Sequence, residues 1–293
     1  MNFLENFRKY PSSVNQIKFN IFSPTYRTKE IKGEKVIFEN EFFKAKSSGY
    51  LLNQIHKDIL DIILYEGDSS LEKMVKEETR AARLFNLYQI QKKLYQNKEL
   101  KKYTKNDWLK EKIKELMRTT IDIEIKLDNK KEIWIGFHII ETAKSIVYDN
   151  NPQNKKFFVI LSQEFLEFLK SDILINYGNY LDDILKLKTG QAKALARYAI
   201  SFKNDFSESL ESIMEKIGIG RNKFKNRKTF NEHRNRILSD LEGLRKLNIE
   251  IIETTKSNHI VKYKKLKDIY FYYNNKEKRV FSTLPAPNKL LFP

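Results

Sequence analysis

The sequence predicts an α+β fold, mostly helical, laid out as two tandem copies of one module: three helices backed by a small β-hairpin. Three observations carry this. Apolar residues recur at helical spacing in several long segments and alternate with polar residues in the short runs that follow. The order helix, helix, helix, strand, turn, strand occurs twice along the chain. Glycine and proline are scarce, 9 and 6 in 293 residues, which suits helices with short connections and not an all-β sandwich.

Residues 1–30 have weak periodicity and the Ser23-Pro24 punctuation, and read as an N-terminal arm. Glu34 to Lys46 alternates around Val36, Phe38 and Phe42, the pattern of a strand. From Tyr50 to Tyr65 the residues Leu51, Leu52, Ile55, Ile59, Leu60, Ile62 and Ile63 fall at helical spacing, and Gly67-Asp68 stops the helix. Helices over Leu87–Leu94 and Lys105–Met117 follow, the second with Thr104 or Asn106 as N-cap. Thr119 to Leu127 alternates through Ile121, Ile123 and Ile125. Asp128-Asn129-Lys130 turns the chain into a second strand, Glu132 to Ile140.

Lys155 to Leu161 is a strand leading into a helix, Gln163 to Lys170, and the pattern then repeats. Helices are predicted over Gly190–Phe202 and Ser209–Ile217, with Ser207 as the N-cap of the latter. Gly218 and Gly220 supply a turn before one long helix, Arg227 to Leu247. Strands follow at Ile249–Glu253, His259–Tyr263 and Asp268–Tyr273, with a turn at Thr255–Asn258. Three helices closed by a hairpin is the winged-helix plan. The prediction is therefore two tandem winged-helix domains with small β-hairpin wings, over 31–172 and 173–273, flanked by the arm and by a tail over 274–293.

Composition narrows the function. Without a single Cys, the chain has no disulfide, thiolate metal site or cysteine nucleophile. Met1 to Tyr10 is polar and charged, and no stretch nears the roughly 18 apolar residues of a membrane helix, so the expected place is the cytoplasm. Net charge is +17, and its distribution is uneven. Lys186 to Pro293 holds 24 basic and 11 acidic residues; the preceding part holds 31 and 27. A polyanionic partner accounts for this, since Lys and Arg release counterions when they meet phosphates. A coding bias toward A and T would inflate Lys and Asn, but throughout the chain.

The segment from Arg227 concentrates the signal. At 100° per residue, Phe230, Ile237, Leu241 and Leu244 form a core stripe, while Lys228, Asn231 and Asn235 face the other way. Arg227 and Arg234 border one edge and Arg236 the other. Asn pairs bidentately with adenine, and Arg with guanine or phosphate, so this face suits the major groove of duplex DNA. The approach, with Arg221, Lys223 and Lys225, adds charge at the end that would enter first. In the first module Leu109, Ile113 and Leu116 face inward and Lys110, Lys114 and Arg118 outward, beside Asp107 and Glu111. That mixed face reads either as a weaker phosphate contact or as a surface for another subunit. Lys126, Lys130 and Lys131 make the first wing basic; the second wing is Lys256-Ser257-Asn258-His259.

Four stretches in this order resemble the replication initiators of iteron-carrying plasmids, the TrfA-like type. Leu51-Leu-Asn-Gln-Ile-His-Lys-Asp-Ile is similar to that family's opening helix. Asp107-Trp-Leu-Lys-Glu-Lys-Ile-Lys-Glu-Leu-Met-Arg-Thr-Thr-Ile-Asp-Ile resembles its first recognition helix and following strand. Phe158-Val-Ile-Leu-Ser-Gln-Glu-Phe-Leu resembles the link closing the first domain, and Leu187-Lys-Thr-Gly-Gln-Ala-Lys-Ala-Leu-Ala-Arg-Tyr the helix opening the second. The resemblance implies binding to repeated origin sites, opening of an adjacent A/T-rich segment, recruitment of a host initiator and replicative helicase, and exchange between homodimer and monomer. A winged-helix transcriptional regulator at a promoter is the alternative reading.

Enzymatic readings fit poorly, and neither a catalytic centre nor a cofactor is expected. His233, Arg236, Arg197 and the tyrosines Tyr270, Tyr272 and Tyr273 have the residue types of a tyrosine recombinase. Arg197 and His233, however, lie too close in sequence for that family's intervening segment. His56, His138, His233 and His259 are too scattered for a metal-dependent relaxase, and Gly218 to Lys223 lacks the spacing of a phosphate-binding loop.

Overall fold

A computed structural model of the protein describes residues 12–25, 30–41, 43–68, 81–96, 105–126, 132–147, 155–170, 172–255 and 258–273. Strands occupy nearly as much of it as helices, so the fold is a mixed α/β one rather than mostly helical. Short strands form four small sheets.

The first half opens with β1 (Ser12–Ser13) and α1 (Val14–Lys18), followed by the hairpin strands β2 (Glu30–Glu39) and β3 (Phe43–Tyr50). The expected arm is thus partly built into the core: Phe19, Ile21 and Phe22 are buried, and Phe19 packs on Phe38 and Phe43. Helix α2 (Gln54–Glu66) starts at a capping box in which the Asn53 side chain accepts from Ile55 N–H and His56 Nδ1 accepts from Asn53 N–H. Then come β4 (Ala82–Phe85), α3 (Leu87–Leu94) and α4 (Asn106–Met117). Asn106 is the first residue of α4 and not its cap. Lys105 holds that position with no side-chain cap, and Thr104 lies outside the described residues.

Strands β5 (Thr120–Lys126) and β6 (Glu132–His138) pair as expected, but they extend the first hairpin into a sheet of order β2-β3-β5-β6. Ile121, Ile123 and Ile125 are fully buried on its inner face. Strands β7 (Ile140–Val147) and β8 (Lys155–Leu161) make a separate sheet of order β4-β8-β7. Helix α5 (Gln163–Lys170) covers β6, stacking Phe168 on Phe137.

The second half runs β9 (Ile173–Asn176), α6 (Leu181–Lys186), α7 (Gly190–Ile200), β10 (Phe206–Ser209), α8 (Leu210–Lys216), α9 (Arg227–Leu238), α10 (Leu241–Lys246), β11 (Ile249–Thr255), β12 (Asn258–Tyr263) and β13 (Tyr270–Tyr273). Its sheet has the order β10-β12-β11. This matches β4-β8-β7: a strand between the first two helices pairs with the second strand of a later hairpin. The repeat is therefore real, but the hairpin of the first half that corresponds is β7–β8. Sequence periodicity favoured β5–β6 because its isoleucine alternation is cleaner. The β7–β8 turn lies outside the described residues.

Two local expectations change. Ser209, not Ser207, caps α8, accepting from Ser212 N–H: β10 runs on to Ser209, so the helix starts two residues later than Ser207 would set it. The long helix from Arg227 to Leu247 is broken at Ser239-Asp240. The Asp240 carboxylate accepts the Lys188 N–H at 2.5 Å and Ser239 Oγ donates to the Arg236 carbonyl. Short polar side chains that bond to backbone favour helix ends, and here they win over the apolar periodicity. Two apolar clusters result, one per half. Strand β9 joins the halves, flanked by β1 and β13.

Candidate nucleic-acid interface

Helix α9 is held from beneath. Phe230 and Ile237 are buried in the second core. At its start the Asn226 side chain accepts both from Thr229 N–H and from Thr229 Oγ1–H, at 2.8 and 2.9 Å. His233 is stacked on Phe224, with ring centroids 4.8 Å apart, and its Nδ1 meets the Gln191 amide of α7 at 2.9 Å. Burial, more than the neighbouring Arg236, lowers its pKa. The helix is thus anchored along one side and faces outward on the other.

On the outward side Lys228 and Asn235 are exposed and Asn231 is half-buried; Arg227 and Arg236 are exposed and Arg234 is half-buried. Arg221, Lys223 and Lys225 in the approach are exposed too. Arg221 and Lys223 lie in a short 3-10 turn, where Arg221 donates to the Phe224 carbonyl at 2.8 Å. From Arg221 to Asn231 there are five basic residues and no acidic one. Among the described residues none of those five is ion-paired. Lys223 is shifted down in pKa, first by partial desolvation and then by Lys35 of β2, a cation from the other half. Like charges gathered this way are stabilised by a bound polyanion.

The first half offers a quieter surface. On α4, Lys114 and Arg118 are exposed and Lys110 is half-buried. Lys110 is paired with Asp107 at 3.1 Å and Lys114 with Glu111 at 2.5 Å, so two of the three cations are already matched. Lys130 and Lys131, the side chain of Lys126, and Lys256 and Ser257 lie outside the described residues. His259 is half-buried on β12.

One set of polar residues is buried where the sequence did not indicate it. Asp58 and Asp61 of α2 meet Lys193 and Arg197 of α7 in a site with no solvent exposure above 2%. Arg197 donates from Nη2 to Asp58 at 2.7 Å and to Asp61 at 2.8 Å, and from Nη1 to Gln54 at 2.6 Å. Lys57 joins Asp61 at 2.7 Å and donates to Ser12 and Gln16 of the N-terminal segment. Burial lowers the pKa of Lys57 and of Lys193, whereas the two carboxylates outweigh burial at Arg197 and raise it. On a helical wheel Asp58 and Asp61 read as a solvent face. Only the structure shows that α2 and α7 are both buried nearly all round.

This placement also separates the residues of the recombinase reading. Arg197 is sealed between the halves, His233 is stacked on Phe224, and Tyr270 and Tyr272 stand on β13. Among the described residues no three His, Asp or Glu side chains form a metal-holding group, and no helix is long and apolar enough to cross a membrane.

No known protein-family profile matches the chain, and neither does a curated protein sequence. Solved structures do. A crystal structure of domains 2 and 3 of the Vibrio protein RctB, as selenomethionine derivative, aligns with a TM-score of 0.53 at 12% identity over 86% of this chain and 98% of that one. A second crystal structure of the same two domains gives 0.51 at 11% identity, over 85% and 96%. The chain shares the fold of those two domains across both of its halves.

Proposed function

We propose that this protein is a replication initiator that binds duplex DNA sequence-specifically, without catalysing a reaction itself. The observation that carries the reading is the uncompensated run of cations from Arg221 to Lys228 at the exposed start of α9, directly ahead of Asn231 and Asn235. Each half is read as a winged helix, with α9 entering a major groove and α4 making the weaker, phosphate-level contact through Lys110, Lys114 and Arg118. Support comes from the fold shared with RctB, an origin-binding replication initiator. The resemblance to plasmid initiators extends the reading to repeated origin sites, a homodimeric state, and recruitment of a host initiator and helicase in the cytoplasm.

Site selection from a random-sequence duplex library tests it. Enrichment of one motif, with affinity that falls steeply as KCl rises, is the expected result. Salt-independent or sequence-blind binding would overturn it. A promoter-binding regulator would use the same surface. Short direct repeats of the selected motif beside an A/T-rich tract near the coding sequence assign the initiator role; a single promoter site assigns the other.

A further inference from the structure

The two helices assigned to DNA are joined through two intervening helices, α2 and α7, by three sets of side-chain bonds. At one end Glu115 of α4 is bonded to His56 Nε2 of α2 at 2.6 Å, and Lys112 also reaches that carboxylate, at 2.8 Å. In the middle Gln54, Asp58 and Asp61 of α2 are gripped by Lys193 and Arg197 of α7. At the other end Gln191 of α7 meets His233 of α9 at 2.9 Å. Helices α2 and α7 are therefore each bonded on two sides, once to a helix assigned to DNA and once to each other.

The middle bond is the most demanding. A guanidinium fork seated on two carboxylates and an amide of one helix fixes both rotation and axial position. A slide of one helical turn, about 5.4 Å, breaks every contact. An apolar contact between α2 and α7 would tolerate small slides and is often the more stable choice. What a buried ionic array adds is a single register. The two DNA-facing ends also flank one ribbon. Gly49 of β3, with φ +87°, lies so close under the Arg118 carbonyl at the end of α4 that a Cβ would sit 2.2 Å from it. Lys35, paired with Ser47 two residues away on that ribbon, is near enough to Lys223, ahead of α9, for the two charges to repel.

Resting on the DNA reading above, we propose that these three polar clamps hold α4 and α9 as one rigid pair, so that the ligand is a duplex carrying two contact segments at a fixed helical phase. Arg197 and Gln191 are positioning residues: they touch no DNA and act through α7.

The absence of Cys allows a direct test in the full chain. Spin labels at Glu111→Cys on α4 and Glu232→Cys on α9 should give one narrow distance distribution. Adding Arg197→Lys, which keeps the charge but loses the fork, should broaden it or add a second distance while the circular dichroism spectrum stays native. Gln191→Leu breaks the outer clamp without touching the buried ions, so the test survives a folding failure of the first variant. A distribution that stays narrow in the folded variants overturns the clamps.

The second arm uses a selected duplex and the same duplex with 5 base pairs, half a helical turn, inserted between its contact segments. The unmodified protein should lose at least about tenfold in affinity on insertion, and the Arg197→Lys protein much less. Equal affinity of the unmodified protein for both duplexes overturns the fixed phase. If no duplex binds in a salt-dependent way, the DNA reading itself fails, while the spin-label distances still decide the clamps.

Discussion

Replacing Lys225, Arg227 and Lys228 together by Gln gives the most discriminating test of the α9 surface. All three side chains are exposed, and each substitution should change folding stability by no more than about 0.5 kcal/mol. If the five cations from Arg221 to Lys228 each neutralise one phosphate, log K should fall with log salt at a slope of about −4.5. Doubling the KCl concentration then weakens binding about 20-fold. With two cations left the slope becomes about −1.8, and the same doubling costs only about 3.5-fold. Fluorescence anisotropy with a labelled duplex at four KCl concentrations measures both. A slope that does not move in the triple variant would show that these cations are not the phosphate contacts, whatever the absolute affinity.

Further expectations separate reading, capping and core. Lys228→Ala with Asn231→Ala and Asn235→Ala should abolish preference for a selected motif over random duplex, measured by competition, while retaining salt-dependent binding. Asn226→Ala removes the acceptor of two bonds at the start of α9 and should cost about 1–2 kcal/mol in urea unfolding. Gly49→Ala combines a left-handed backbone with a clash against the Arg118 carbonyl and should cost more than about 3 kcal/mol by the same assay. Burial lowers the His56 pKa despite the Glu115 carboxylate, so its contribution to stability is present above about pH 6.5 and is lost as pH falls below that value. His56→Gln keeps an acceptor for Asn53 N–H and should flatten that part of the pH profile; an unchanged profile would exclude His56 as its source.

Much of the fold was legible because periodicity reports burial. The Leu87–Leu94 helix lies where its spacing puts it, as do the Thr120–Lys126 and Lys155–Leu161 strands, within a residue or two at their ends. The misreadings have one physical source: a local pattern cannot say what an element packs against. The isoleucines of β5 mark a buried face, yet not which sheet it belongs to. Leu241 and Leu244 continue the stripe of α9, yet the helix breaks where the Asp240 carboxylate accepts the distant Lys188 N–H. Nothing in the local pattern marks Asp58 and Asp61 as sealed; only the placement of α7 does. For the candidate site, the sequence indicated which cations of α9 stand outward, because Phe230 and Ile237 fix the helix rotation. It did not show that Lys110 and Lys114 are matched by Asp107 and Glu111, since charged neighbours at that spacing pair only when rotamers permit.

The placement of β1 beside β9 has a consequence during synthesis. Ser12 precedes Tyr177, the hydroxyl it meets across the junction, by 165 residues. At about 5–20 residues per second, the ribosome needs roughly 8 to 33 seconds to supply that partner. Until then the apolar side chains of Phe19, Ile21 and Phe22 lack their finished surroundings, and β13 arrives later still. The seam between the halves is thus among the last parts of the molecule to set. A nascent chain stalled before that point should be a ready substrate for chaperones and proteases.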